Sequence, residues 1–311
     1  MNINPSVENR QGDPSKQEQG NVPQITDDEF RNVTRNHRVW REFRRNRFAL
    51  FGTAFIIFIA VMGILAPVVS THDPNAQSLR DRLDPPSQEH WLGTDELGRD
   101  FYSRLVYGAR ISLFIGIVGT AAGVFVGTTI GLISGFFGGW TDTLVMRFID
   151  VMYAFPGILL AILVVAVMGP SLLNLIVVLA IWATPSLSRI VRGNALSLMS
   201  LEYVQAARAL GASHFRIMFR HLLPNTMAPI IVYTTLSVAG SILTAAALGF
   251  LGLGVQPPTA EWGSMLSNGR TYLRQAPLLM IFPGTLIFLT VIAINLIGDA
   301  LRDALDPHIQ E

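Results

Sequence analysis

The sequence predicts an all-α membrane protein with six transmembrane helices and both termini in the cytoplasm. Three observations predict it: few charges, six long apolar runs, and two charge asymmetries that agree on orientation. Of the 311 residues, 50% are hydrophobic and 14% charged, against about 25% charged in soluble domains. A bilayer core about 30 Å thick is crossed by roughly 20 apolar residues in a helix. The runs Ala49–Val69, Ile111–Phe137, Phe148–Met168, Leu172–Leu187, Met227–Val255 and Leu278–Ile297 meet or approach that length. The fourth is the shortest, and Pro185 is expected to interrupt its end.

Residues 1–25 are rich in Asn, Gln, Pro, Ser and Gly without an apolar run, the composition of a disordered cytoplasmic tail. A basic amphipathic helix is expected over 26–48. Thr26 and Glu29 form a capping box at its start, and Phe30, Val33, Trp40 and Phe43 lie near one face. Arg31, Arg35, Arg38, Arg41, Arg44, Arg45 and Arg47 precede the first span at 49–70 and place the N-terminus inside by the positive-inside rule. That position accounts for the arginines without a nucleic-acid partner. The loop 71–110 is then extracytoplasmic and carries Asp73, Asp81, Asp84, Glu89, Asp95, Glu96 and Asp100. Five further spans fill 111–300, and 301–311 returns to the cytoplasm.

The spans carry almost no ionisable residue, which disfavours coupling to an ion gradient. Asp150 comes nearest, and Arg147 three residues earlier offers it an ordinary surface pair. The only lysine is Lys16, in "DPSKQEQG", so the chain has no P-loop and energy must enter from elsewhere. No cysteine is present, and the six histidines show no zinc-ligand spacing, so the sequence assigns no metal, no cofactor and no catalytic residue.

The second span places Gly119, Gly123, Gly127, Gly131 and Gly135 four residues apart, on one stripe that another backbone can approach. Spacing does not decide whether that backbone lies in this chain or in a partner. Gly240, Ala245, Gly249, Gly252 and Gly254 repeat the theme in the fifth span. In "HWLGTDELGRD", Asp95, Glu96 and Asp100 suit either a peptide's amino group or the capped start of the second span; the capping role is the simpler.

"EYVQAARALGASHFRIMFRHLLPN", residues 202–225, is too polar to cross a bilayer yet helical in pattern. Tyr203, Ala206, Ala207 and Leu210 share one small, apolar face, with Glu202, Gln205 and Arg208 on its flank. Gly211 ends this helix, and Ser213 caps a second with Phe215, Met218, Phe219 and Leu222 on its apolar face. Pro224 is expected to stop the second helix. The second helix would rest on the bundle and the first would project. From spacing, the projecting face suits either a groove on another protein or the lipid surface.

"QAARALG…LLPN" resembles the EAA loop of ABC-importer permease subunits, written EAA-x3-G-x9-I-x-LP. Gln205, Ala206, Ala207, Gly211, Leu223 and Pro224 occupy its positions. Gln205 stands where the pattern has glutamate and His221 where it has isoleucine, with Glu202 as an acid just upstream. "HWLGTDELGRDFYSRLVYGARISL", "GGWTDTLVMRFIDVMYAFPGILLAI" and "LGFLGLGVQPPTAEWG" are similar to the C-type permease of dipeptide and oligopeptide importers, over about residues 35–306. The resemblance implies a type I importer bundle in a prokaryotic cell membrane. It implies a heterodimer with a B-type permease, two ATPase subunits that bind ATP and magnesium, and an extracytoplasmic peptide-binding protein. It makes 202–224 a coupling loop seated on an ATPase, and leaves open substrates such as peptides, glutathione or nickel.

Overall fold

A computed structural model describes residues 39–305. The tail at 1–25, the Thr26 and Glu29 capping box, most of the helix expected at 26–48 and the residues after 305 lie outside the described residues. Within them the chain is helical. Five helices are long and apolar enough to cross a membrane, and a bent pair makes a sixth crossing if counted as one.

Residues 39–45 are helical, and Asn46 ends that turn and caps α1 (Arg47–Ile64), its side chain accepting from the N–H of Phe48 and Ala49. The second apolar run lies in α2 (Phe101–Phe137), which starts ten residues before the run does. Its 37 residues make a rod of about 55 Å at 1.5 Å per residue, longer than a bilayer core, so its ends protrude. Asp100 caps it by accepting from the Ser103 N–H, in line with the capping role expected there.

The third run does not form one straight helix. It divides into α3 (Gly139–Ala154) and α4 (Gly157–Met168), bent by 90°. Pro156 has no N–H to donate and bars Phe155 from the helical region, and Phe155 is extended at φ −94°, ψ 134°. Pro185 behaves differently and does not interrupt its run: α5 (Leu172–Met199) passes through it. The difference lies in packing. Pro185 is buried, and α2 braces α5 on both sides of it, through Gly123 against Ala183 and Gly127 against Leu187.

After α6 (Glu202–Ala209) the chain enters α7 (His214–Phe250), a 37-residue helix whose stretch Ile217–Leu222 is wound as a π-helix. Pro224 therefore does not stop the second short helix. The wider π turn lets the Leu223 N–H reach the Met218 carbonyl, and the helix continues past the missing proline N–H. The Asn225 side chain donates to the His221 carbonyl at 2.6 Å. A short helix, α8 (Trp262–Thr271), then leads to α9 (Leu278–Leu305), which holds the last apolar run and extends beyond it.

The most extensive packing joins α2 to α5. The glycine stripe of α2 lies along that contact. A Cβ at Gly119, Gly123 or Gly135 would come within 2.8, 2.6 and 2.6 Å of the Cβ atoms of Leu179, Ala183 and Ala195; at Gly127 and Gly131 it would meet the Thr184 and Ser188 carbonyls. The backbone that approaches the stripe thus belongs to this chain. The fifth-span series repeats the pattern only in part: a Cβ at Gly249 would come within 2.6 Å of the Glu261 carboxyl, but one at Gly240 meets nothing within 4 Å, and Gly252 and Gly254 lie past the end of α7.

Candidate functional site: the α6–α7 elbow

Leu201 begins α6 without a side-chain cap, but Glu202 sits in the first turn and Arg208 in the last, the order that the helix dipole favours. Gln205 donates to the Met199 carbonyl at 3.2 Å, tying α6 to the end of α5. A single side chain plugs the helix into the bundle. Val204 is buried in a cluster with Phe136, Val191, Ile217, Leu222 and Ile230, while Glu202, Gln205, Ala206 and Arg208 are exposed and Ala207 is half-buried.

The elbow is built as the sequence predicts. Gly211 has φ +79°, where a Cβ is strained, and it closes a Schellman turn. Its N–H donates to the Arg208 carbonyl, and the Ala212 N–H donates to that of Ala207. Ser213 accepts from the Arg216 N–H at 3.3 Å and starts α7. A Cβ at Gly211 would meet nothing of this chain within 4 Å.

The face that rests on the bundle is only partly the one expected: Leu222 is buried and Met218 packs half-buried beside it, but the two phenylalanines do not join them. Phe215 and Phe219 stack on each other at 4.2 Å but remain 67% and 48% exposed, while Ile217 and Leu222 are fully buried. The buried row runs Ile217, Leu222, Thr226, Ile230, with a step of five across the π turn and steps of four after it. Leu223 is half-buried and Pro224 exposed. Leu210 (88% exposed), Phe215, Phe219 and Tyr203 are thus exposed apolar side chains on α6, which is too short to span, and on the turns that connect it to the body of α7.

Two polar constellations nearby were not evident from spacing. Arg192 on α5 makes a two-pronged contact with Asp142 on α3, and Asp142 also accepts from Ser134 on α2. Asp150 pairs with Arg189 at 2.7 Å and only loosely, at 3.8 Å, with the expected Arg147. The Arg189 guanidinium lies over the Tyr153 ring, 4.2 Å from its centroid, and Tyr153 hydrogen-bonds Ser186. Tyr153, Ser186, Phe155, Trp182 and Pro185 line a pocket at the α3–α4 bend.

At the opposite end of α2, the acids of "HWLGTDELGRD" are consumed internally. Asp95 is buried between Arg99 (2.7 Å) and Arg104 (3.2 Å), and Glu96 pairs with Arg99 and accepts from Asn268. Burial pushes the Asp100 carboxyl up, but hydrogen bonds from Ser103, His90 and Thr71 outweigh it and hold it below the usual carboxylate range. Neither Asp95 nor Asp100 is free to meet a peptide's amino group.

Comparison with known proteins gives a consistent account. Residues 127–311 match the family model described as binding-protein-dependent transport system inner membrane component. Residues 34–86 match the N-terminal transmembrane domain of oligopeptide transport permease C. The glutathione transport system permease protein GsiD of Pectobacterium atrosepticum is 46% identical over 93% of this chain and 96% of its own length. The dipeptide transport system permease protein DppC of Alkalihalophilus pseudofirmus is 45% identical over 91% of this chain and 93% of its own. The methionine ABC transporter MetNI in an inward-facing conformation shares the fold, with TM-score 0.52 and 21% identity over 65% of this chain and 96% of that one. The chain belongs to the binding-protein-dependent transport system inner-membrane components, the membrane-spanning permeases of ABC importers.

Proposed function

We propose that the chain is a C-type permease subunit, forming half of an import path for short peptides. Glutathione and dipeptide permeases resemble it almost equally, at 46% and 45% identity. Glutathione is itself a tripeptide, so short peptides are the class that covers both. The chain performs no chemistry of its own and holds no cofactor. ATP and magnesium bind two ATPase subunits, a B-type permease completes the path, and an extracytoplasmic binding protein delivers the solute.

The observation that carries this reading is the exposed α6–α7 elbow, an apolar surface fastened to the bundle by Val204 and rigidified by the turn at Gly211. In this reading Glu202, Gln205, Ala206, Ala207, Arg208, Gly211, Leu223 and Pro224 form the coupling element that an ATPase grips. Movement of α6 is passed to α5 through Gln205 and to α7 through Val204. The elbow then faces the cytoplasm, as do both termini.

Two experiments test it. The chain has no cysteine, so Ser213→Cys and Ser87→Cys report sidedness directly; labelling only from the cytoplasm and only from outside, respectively, is expected, and labelling of both from one side overturns the orientation. Reconstitution with the partner subunits should give ATP-dependent uptake of dipeptides or glutathione, and the chain alone should neither hydrolyse ATP nor accumulate solute. Proton-driven uptake by the chain alone refutes the assignment.

A further inference from the structure

We propose that His72, Glu89 and His90 form a binding site for a divalent transition-metal cation of the zinc class, on the loop that joins α1 to α2. The function proposed above uses none of the three. Glu89 and His90 are neighbours in sequence, and the fold of the loop brings His72 to them: one ring nitrogen of each histidine and one carboxylate oxygen of Glu89 all lie within 4.8 Å of one another. The imidazole rings sit with centroids 4.6 Å apart. Ligands about 2.0–2.2 Å from a tetrahedral zinc ion are themselves separated by about 3.4 Å. The cluster has to contract to reach that spacing, and Glu89, which is exposed, has the freedom to move toward the histidines.

The backing of the site favours a metal over a bare surface cluster. The Asp100 side chain is wholly buried beneath the rings, with its Oδ1 2.9 Å from His90 Nδ1 and 3.7 Å from His72 Nδ1. With its proton on Nδ1, His90 donates to the Asp100 carboxylate and keeps Nε2 as a lone pair, the arrangement that orients histidines toward metals, while His72 Nδ1 hydrogen-bonds the Thr71 hydroxyl. Asp100 itself is held by Ser103 and Thr71, so the backing is rigid. Two imidazoles and one carboxylate suit zinc and its neighbours, whereas magnesium and calcium take oxygen ligands. A fourth position stays open to water. His72 follows the short helix Ala66–Val69 after α1, and His90 hydrogen-bonds the cap of α2, so a bound cation would clamp the loop ends of α1 and α2 together.

The test uses the full chain purified through a tag without histidine, with zinc chloride as the only added ligand. Calorimetry should show one equivalent bound at micromolar affinity or better, and zinc should raise the thermal unfolding temperature. His72→Gln and Glu89→Gln should each weaken binding about tenfold or more and abolish the zinc-dependent rise, with unfolding in the absence of zinc unchanged. His90 is left intact because it also holds the cap of α2. Cobalt substitution should give visible absorption that both variants lose. No zinc uptake by the wild-type chain, or equal uptake by both variants, overturns the proposal.

Discussion

Gly123 and Ala183 meet so closely that a methyl group added at Gly123 would lie 2.6 Å from the Ala183 Cβ. Contacts of that kind recur along the whole α2–α5 seam, so the seam tolerates no added bulk on the glycine side. Gly123→Val is expected to destabilise the chain by about 1–3 kcal/mol, as overpacking does. Thermal unfolding in detergent checks it. Gly240→Ala, where nothing lies within 4 Å, should leave stability unchanged. Ala183→Gly should recover part of the loss from Gly123→Ala, since the two residues share one contact.

The apolar runs and the glycine stripe could be read from residue order because each answers to one local demand, lipid solvation or close backbone approach. Gly211 was readable for the same reason: a positive φ calls for glycine whatever surrounds it. The two prolines were not. Pro156 breaks its helix and Pro185 does not, and the difference rests on α2 bracing α5, a contact invisible in either run. At the anchoring face of the elbow a 3.6-residue period carries only to Leu222, because the π turn pairs that residue with Ile217 in the buried row and leaves Phe215 and Phe219 outside it. The Arg192–Asp142 pair and the His72–His90 cluster join segments distant in sequence, which no spacing rule anticipates.

At the elbow, Gly211→Val forces a branched residue into a left-handed conformation, costing roughly 1–2 kcal/mol locally. The space around Gly211 is open within this chain, so strain rather than a clash inside the subunit is the first effect. Gly211→Asn, which tolerates positive φ, should be close to neutral. Ala207→Asp adds an unpaired carboxylate to the face proposed to dock an ATPase. Both Gly211→Val and Ala207→Asp should insert normally, yet retain less ATPase and support less uptake at matched membrane levels. Arg216→Ala should do much less. Full ATPase retention with normal uptake in both variants would favour a lipid-facing α6.

Arg192 grips both oxygens of Asp142, and Asp142 also holds Ser134, so one carboxylate links α2, α3 and α5. Arg192→Lys keeps the charge but not the two-pronged geometry, and should recover little of what Arg192→Ala loses. The pair is partly solvent-exposed, with side chains 33% and 15% accessible. The loss should therefore fall below the several kcal/mol typical of fully buried pairs. The comparison is a pair of unfolding curves at low and high salt. If lysine restores wild-type stability, charge alone matters and the bidentate contact does not.

Glu261 supplies the last test, through pH. It is buried at the start of α8, where its carboxyl accepts from the N–H groups of Gly263 (2.7 Å) and Ser264 (2.8 Å) and from Ser112 (3.3 Å). Burial is the largest influence and pushes its pKa up, against the lowering effect of those hydrogen bonds. A carboxyl with a raised folded pKa keeps its proton in the native state after the unfolded chain has lost it. Stability is then full below the ordinary glutamate value of about 4.3 and falls as pH rises from there to the folded pKa. Glu261→Gln removes this titration, and its one amide oxygen still accepts from one of the two N–H groups, which bond to different oxygens of the carboxylate. The unfolding temperature of wild type minus Glu261→Gln should therefore decrease as pH rises from about 4.3. Glu261→Ala, which leaves the α8 N-terminus uncapped, should be less stable than Glu261→Gln by about 1 kcal/mol at every pH. A difference between wild type and Glu261→Gln that stays flat with pH would show that Glu261 titrates alike in the folded and unfolded chain, and would remove burial as the controlling influence on this carboxyl.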